Sequence, residues 1–110
     1  MAERATAALA GDEQLLLSDL VLAECVYVLE SFYEVERARV ATLLRSAIAL
    51  ASVEVVDASL LLRALEVYEL HRLDFAEAYL VANAESTGVL RVLSFDQTID
   101  RVQSVSRVEP

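Results

Sequence analysis

Carboxylates are the one abundant reactive group in this chain: 18 Asp and Glu stand against nine basic residues, all of them Arg, with one His and one Cys. Carboxylate oxygens suit hard divalent cations, so Mg²⁺ or Mn²⁺ is the agent this composition can support. The absence of Lys excludes several other chemistries. A P-loop needs a lysine on the phosphates beside a Gly-rich turn, and only Gly11 and Gly88 are present. Schiff-base catalysis needs a lysine amine, and a phosphoacceptor receiver domain needs a lysine at its site. His71 alone cannot build a two-histidine zinc site. The formal net charge of -9 disfavours broad attraction to nucleic acid.

Glu24 shares a helical stripe with Leu20, Val21, Tyr27 and Val28, three and four positions away. A carboxylate on a buried apolar stripe has to be paired, hydrogen-bonded, metal-bound or protonated. An internal pair with an Arg, or partial exposure, explains Glu24 as well as a functional role does. Asp74 and Glu77 form D-x-x-E at a helix start, which is also a capping box, and for Asp74 the cap is the simpler reading. Glu77 sits beside Leu73, Leu80 and Val81, so either role remains open. Asp96 follows Arg91-Val92-Leu93-Ser94-Phe95 directly, where it is either a turn-former or a site residue. Asp100, one turn later, reads as a solvated charge.

The elements that position these acids alternate in type. Ala2 to about Ala10 favours helix, with Gly11 as its stop. Gln14 to Leu17 is a short apolar run that suits a buried strand, and Ser18 or Asp19 caps a helix to about Phe32. A helix over roughly Glu36 to Leu50 carries Val40, Leu43, Leu44 and Ala47 on one face. Ser52 to Val56 is β-branched and short, and Asp57 caps a helix to about Leu70. Asp74 to about Thr87 is apolar on nearly all sides, which predicts a buried helix ended by Gly88. Val89 to Phe95 reads as a strand, Gln97 to Val102 as a turn or short helix, and Val105 to Val108 as an edge strand. This alternation predicts an α/β fold, a single domain over residues 1–110 with a parallel sheet flanked by helices on both faces. Sites on such sheets lie at the carboxyl ends of strands, which points to Asp19, Asp57 and Asp96.

Other residues offer less. Charges interrupt every apolar run short of the roughly 18 residues of a membrane span, so no membrane association is expected. The start of the chain does not resemble a secretory signal, and a lone Cys25 allows no intrachain disulfide, so a cytoplasmic location is expected. Cys25 reads as a small buried hydrophobe. His71 suits an exposed loop, and Arg37, Arg39 and Arg45 suit a solvated helix face.

Three stretches in order, Leu17-Ser18-Asp19-Leu20-Val21-Leu22-Ala23-Glu24, Leu73-Asp74-Phe75-Ala76-Glu77-Ala78-Tyr79-Leu80-Val81-Ala82 and Val92-Leu93-Ser94-Phe95-Asp96, resemble PIN-domain proteins of the VapC toxin type. The resemblance runs from about Ala5 to Val108. It implies a metal-dependent ribonuclease with an RNA substrate, neutralised by a cognate antitoxin. It also implies Glu24, Glu77 and Asp96 as catalytic Mg²⁺ or Mn²⁺ ligands, with Asp74 as a supporting cap or alternate ligand and Ser94 bonded to a ligand or a phosphate. Glu24 matches the family's acid on the helix after its second strand. Glu77 stands where the family usually has Asp, and Asp96 matches the acid after the following strand.

Two departures qualify those expectations. The family opens with a central strand bearing an Asp, typically Asp-Thr-Asn, whereas this chain starts at what resembles the next helix. The chain is therefore expected to be incomplete at its N-terminus. The gap between flanking strands would then be covered by another chain or a rearranged sheet, with a homodimer or higher oligomer as the result. The extra methylene of Glu77 shifts its carboxylate outward. The alternative reading is a non-catalytic PIN-like remnant that acts by self-association or antitoxin binding.

Overall fold

The structure is a computed structural model that describes Arg4 and residues 13–110. The helix expected over Ala2 to Ala10, with its stop at Gly11, lies outside the described residues apart from Arg4, which is helical. In chain order the elements are β1 (Leu15–Leu16), α1 (Asp19–Ser31), α2 (Arg37–Ile48), β2 (Val53–Glu54), α3 (Ala58–Leu70), α4 (Phe75–Thr87), β3 (Arg91–Leu93), a 3-10 turn (Gln97–Arg101) and β4 (Ser106–Val108). The fold is mixed α/β with parallel strand pairing throughout.

Local chemistry sets the helix ends. The Val21 N–H donates to Ser18 Oγ at 3.2 Å, and the Leu60 N–H to Asp57 Oδ1 at 3.1 Å, so each cap meets an otherwise unpaired amide of the first turn. Gly88 closes α4 at φ 79°, a left-handed conformation that a Cβ disfavours even though the space around it is open.

The core lies where α2, α3 and α4 meet. Leu61, Leu65, Val67 and Tyr68 of α3 are wholly buried, as are Val40 and Ala41 of α2 and Ala78 and Val81 of α4. Each large apolar side chain so buried contributes about 1.5–3 kcal/mol. The Tyr68 hydroxyl donates to Glu30 Oε2 at 2.8 Å, and burial, then that carboxylate, pushes its phenol well above the ordinary range. Arg37 stacks over the Tyr68 ring at 4.4 Å. Its Nη1 donates to the carbonyls of Tyr68 at 2.8 Å and Leu73 at 2.5 Å, which fixes the connection between α3 and α4. Arg45 pairs with Glu69 at 2.6 Å, and Arg63 with Glu85 at 2.7 Å and with Glu66. Arg37 and Arg45 are thus structural ties where a solvated helix face was expected; Arg39 is exposed. Asp100 is likewise paired, with Arg107 at 3.3 Å.

The four expected strands are present, and among the described residues they form two parallel pairs. Among the described residues β1 pairs only with β2, and β3 only with β4. Leu15 lies opposite Val53, and Val92 opposite Arg107. No helix of the described residues is long and apolar enough to cross a membrane.

Candidate active site

The carboxyl ends of β1 and β3 both lie against the first turns of α4, and two acidic groupings form there. Ser94, just past β3 and 9% exposed, donates its hydroxyl to Glu77 Oε2 at 3.1 Å. Ser94 Oγ also accepts the backbone N–H of Asp96 at 2.9 Å. Asp96 in turn caps the 3-10 turn, its Oδ1 accepting the Thr98 N–H at 2.9 Å and the Thr98 hydroxyl at 2.6 Å. These two bonds, the hydroxyl first, hold the Asp96 carboxyl below its usual range, so it stays ionised. Glu77 and Asp96 are therefore joined through one serine, with Glu77 Oε1 and Asp96 Oδ2 outside these bonds.

On the other side of α4 the Tyr79 hydroxyl donates to Asp19 Oδ2, while Asp19 Oδ1 is buried with no hydrogen-bond partner among the described residues. The bond to Asp19, then burial, raises the Tyr79 phenol, and the charge of Asp57 adds to it. Asp19 and Asp57 are the acids expected at the ends of the first two strands. Tyr79 was not legible as a site residue. Its only signal is position, two residues past Glu77, which at about 100° per residue points the two side chains to different flanks of the helix.

Glu24 and Asp74 are not joined to this group. Glu24 is exposed and makes no hydrogen bond or ion pair with the described residues, because the stripe it shares is itself uncovered: Leu20 is 78% exposed and Tyr27 65%. A carboxylate in water needs no partner, so the expected burial cost does not arise. Asp74 occupies the N-cap position of α4, yet its side chain makes no cap bond. It lines a hollow of about 400 Å³ with Tyr27 and Glu30. Among the described residues no three His, Cys, Asp or Glu are grouped so as to hold a metal ion. For a divalent cation the donors here are right in kind and short in number, since Ser94 ties the Glu77 carboxylate to the backbone N–H of Asp96 and the Asp96 carboxylate is bonded to Thr98, against a shell of about six oxygens.

Two residues set aside in the sequence behave differently in detail. His71 is the half-buried C-cap of α3, with its N–H donating to the Val67 carbonyl at 2.9 Å. Cys25 is half-buried, and burial, then the charge of Glu24, pushes its thiol up, which makes a thiolate nucleophile unfavourable.

A family-wide comparison places the chain: the sequence model of the PIN domain matches residues 1–105. The chain belongs to the PIN domain family. PIN domains are generally divalent-metal-dependent nucleases, and membership points to nuclease-type function. No curated protein and no solved structure matches the chain. In this PIN domain Ser94 ties the Glu77 carboxylate to the backbone N–H of Asp96.

Proposed function

We propose that this PIN domain is a ribonuclease of the VapC toxin type, acting on RNA with Mg²⁺ or Mn²⁺ and restrained by a cognate antitoxin. The observation that carries the reading is the bridge from Glu77 through Ser94 to Asp96. It ties the Glu77 carboxylate to the backbone of Asp96, the two acids being those that the motifs align with the family's ligands, and leaves Glu77 Oε1 and Asp96 Oδ2 without a bond to the described residues. Glu77 and Asp96 would hold the ion, with Glu24 and Asp74 reaching it only if α1 closes toward α4. When bound, the ion supplies an activated water and stabilises charge on the scissile phosphate. The chain's own residues orient: Ser94 fixes the Glu77 carboxylate, and Thr98 fixes Asp96 and keeps it ionised.

Two carboxylates alone hold a divalent ion weakly, so the 110-residue chain is expected to cleave RNA little or not at all. A chain lengthened at its start by an Asp-bearing strand is expected to cleave a structured RNA in Mg²⁺ or Mn²⁺, to stop in EDTA, and to lose at least about 100-fold on Asp96→Asn. Strong metal-dependent cleavage by the short chain that survives Asp96→Asn overturns the site assignment.

One observation favours a second reading, a non-catalytic remnant that self-associates or binds an antitoxin: the uncovered apolar stripe of α1, with Leu20, Val21, Tyr27 and Val28 all exposed. Absence of cleavage by the lengthened chain, with a tight complex on the α1 face, selects it.

A further inference from the structure

We propose that Arg107 is a positioning residue of the acidic site: its guanidinium, reaching from β4, holds the Ser94 carbonyl to the 3-10 turn and so sets where Glu77 and Asp96 stand relative to each other. The inference rests on the nuclease reading for the role of those two acids, while the placing of Ser94 itself is tested without metal or RNA.

The Ser94 hydroxyl donates to Glu77 Oε2 at 3.1 Å and accepts the Asp96 N–H at 2.9 Å. Where that hydroxyl stands depends on the Ser94 backbone, which is held at both of its polar groups. Its N–H donates to the Val108 carbonyl at 3.1 Å and so carries the β3–β4 ladder one step past Leu93. In this parallel ladder Ser106 donates to Leu90 and Ser94 to Val108, so the next bond in the series would run from the residue-110 N–H to the Ser94 carbonyl. Residue 110 is Pro, which has no N–H. Ser94 is buried, and a carbonyl left unpaired there is costly. Arg107 Nη1 takes the place of the missing donor and meets the Ser94 carbonyl at 3.2 Å.

The rest of the guanidinium grips the turn. Nε donates to Asp100 Oδ1 at 3.3 Å and Nη2 to Asp100 Oδ2 at 3.4 Å, while Nη1 also donates to Glu109 Oε1 at 3.0 Å. Asp100 lies in the 3-10 turn that Asp96 caps, so one planar group spans both ends of the segment from Ser94 to Asp100. Ile99, beside Asp100, is wholly buried. The turn is therefore a fixed post, and Ser94 is the end that Arg107 locates.

Stability alone does not account for this arrangement. Asp100 and Glu109 are both exposed, and pairs with exposed carboxylates contribute little. The Arg107 side chain is only 13% exposed, and its part-buried bond is the one to Ser94. The exposed acids orient the guanidinium, and the guanidinium orients Ser94. A lysine has the charge without the fork, since a single ammonium cannot meet the carbonyl and both Asp100 oxygens in a fixed plane. Charge and position also differ in sign. A positive charge repels a divalent ion, so a role through charge alone predicts tighter binding when Arg107 is neutralised. Loss of the hold on Ser94 predicts weaker binding.

The test uses the ¹⁵N-labelled full chain as wild type, Arg107→Met, Arg107→Lys and, elsewhere in the same strand pair, Arg91→Met. Hydrogen exchange without metal is read at Asp96, whose N–H Ser94 accepts, and at Leu65 in the core. In both Arg107 variants the Asp96 amide is expected to lose at least about tenfold more protection than that of Leu65, and in Arg91→Met less than about twofold more. Broadening of the Glu77 and Asp96 signals by Mn²⁺ is the second readout, and both Arg107 variants are expected to bind at least about tenfold more weakly than wild type. Where Arg107→Met does not fold, Arg107→Lys carries both readouts. Protection at Asp96 that falls no further than at Leu65, or falls equally in Arg91→Met, overturns the proposal. So does tighter Mn²⁺ binding by Arg107→Met with unchanged binding by Arg107→Lys, the signature of charge alone. Absence of Mn²⁺ broadening in wild type overturns the nuclease reading and with it the role of the two acids, while a selective loss at Asp96 still shows that Arg107 places Ser94.

Discussion

Helices α1, α3 and α4 each have 13 residues, and all three are rich in Leu, Val and Ala, yet they meet different fates. Helices α3 and α4 each bury five residues, whereas α1 buries only Leu22 and Val26 and leaves Leu20, Val21, Tyr27 and Val28 exposed. The helices α3 and α4 pack on each other and on α2, while only one flank of α1 has a neighbour among the described residues. Burial in this chain is therefore decided by what stands opposite a helix, not by how apolar the helix is.

The largest effect that sharpens this contrast comes from paired truncations. Leu65→Ala in α3 is expected to lower unfolding free energy by about 2–5 kcal/mol, because it opens a cavity in a filled core. Leu20→Ala in α1 should cost less than about 0.5 kcal/mol. Urea denaturation of both variants checks this, and a loss above about 1.5 kcal/mol at Leu20 would break the comparison by showing its face to be covered in solution. A smaller effect tests how the packed half is tied. Arg37→Met keeps much of the apolar stem but removes two bonds to backbone carbonyls and the stack on Tyr68, for a loss of about 2–3 kcal/mol by the same denaturation. A loss under about 0.5 kcal/mol would show the carbonyls of Tyr68 and Leu73 to be satisfied by water.

The smallest effect is in pH. Glu85 is held below its usual range by Arg63 first, and Asp96 by Thr98. Groups depressed on folding contribute stability that is fully present above the ordinary carboxylate pKa of about 4 and lost as pH falls through their lower folded values. The melting temperature should therefore fall on acidification from about pH 6 to about pH 3, and fall less steeply in Glu85→Gln and Asp96→Asn. Identical slopes in wild type and both variants would show that neither carboxylate is depressed in solution.

Much of the fold was legible because it follows from rules that act within a few residues. Ser18, Asp57 and Gly88 mark helix ends by chemistry that needs only the adjacent turn, and the β-branched run at Ser52 to Val56 stands out without any partner. The site was legible in part, since Glu77 and Asp96 flank an apolar helix and strand that must pack together. Glu24 shows where that reasoning fails. Helical periodicity shows which residues share a face, and only the rest of the molecule determines whether that face is covered. Four strand-like segments likewise carry no signal for one sheet or two, because pairing depends on what occupies the space between edges. The roles of Arg37 and Tyr79 were illegible for a related reason, as their partners lie 31 to 60 residues away.

The Arg37 clamp also bears on how fast the molecule comes apart. It joins the start of α2 to carbonyls 31 and 36 residues further along, so it can close only after α3 has formed and docked. A contact that forms only after the folding transition state must still be broken to leave the native state, and Arg37→Met is expected to speed unfolding while leaving the folding rate nearly unchanged in stopped-flow measurements. Its free energy is then felt almost wholly in the unfolding rate, which makes one guanidinium a brake on escape from the fold rather than a guide into it.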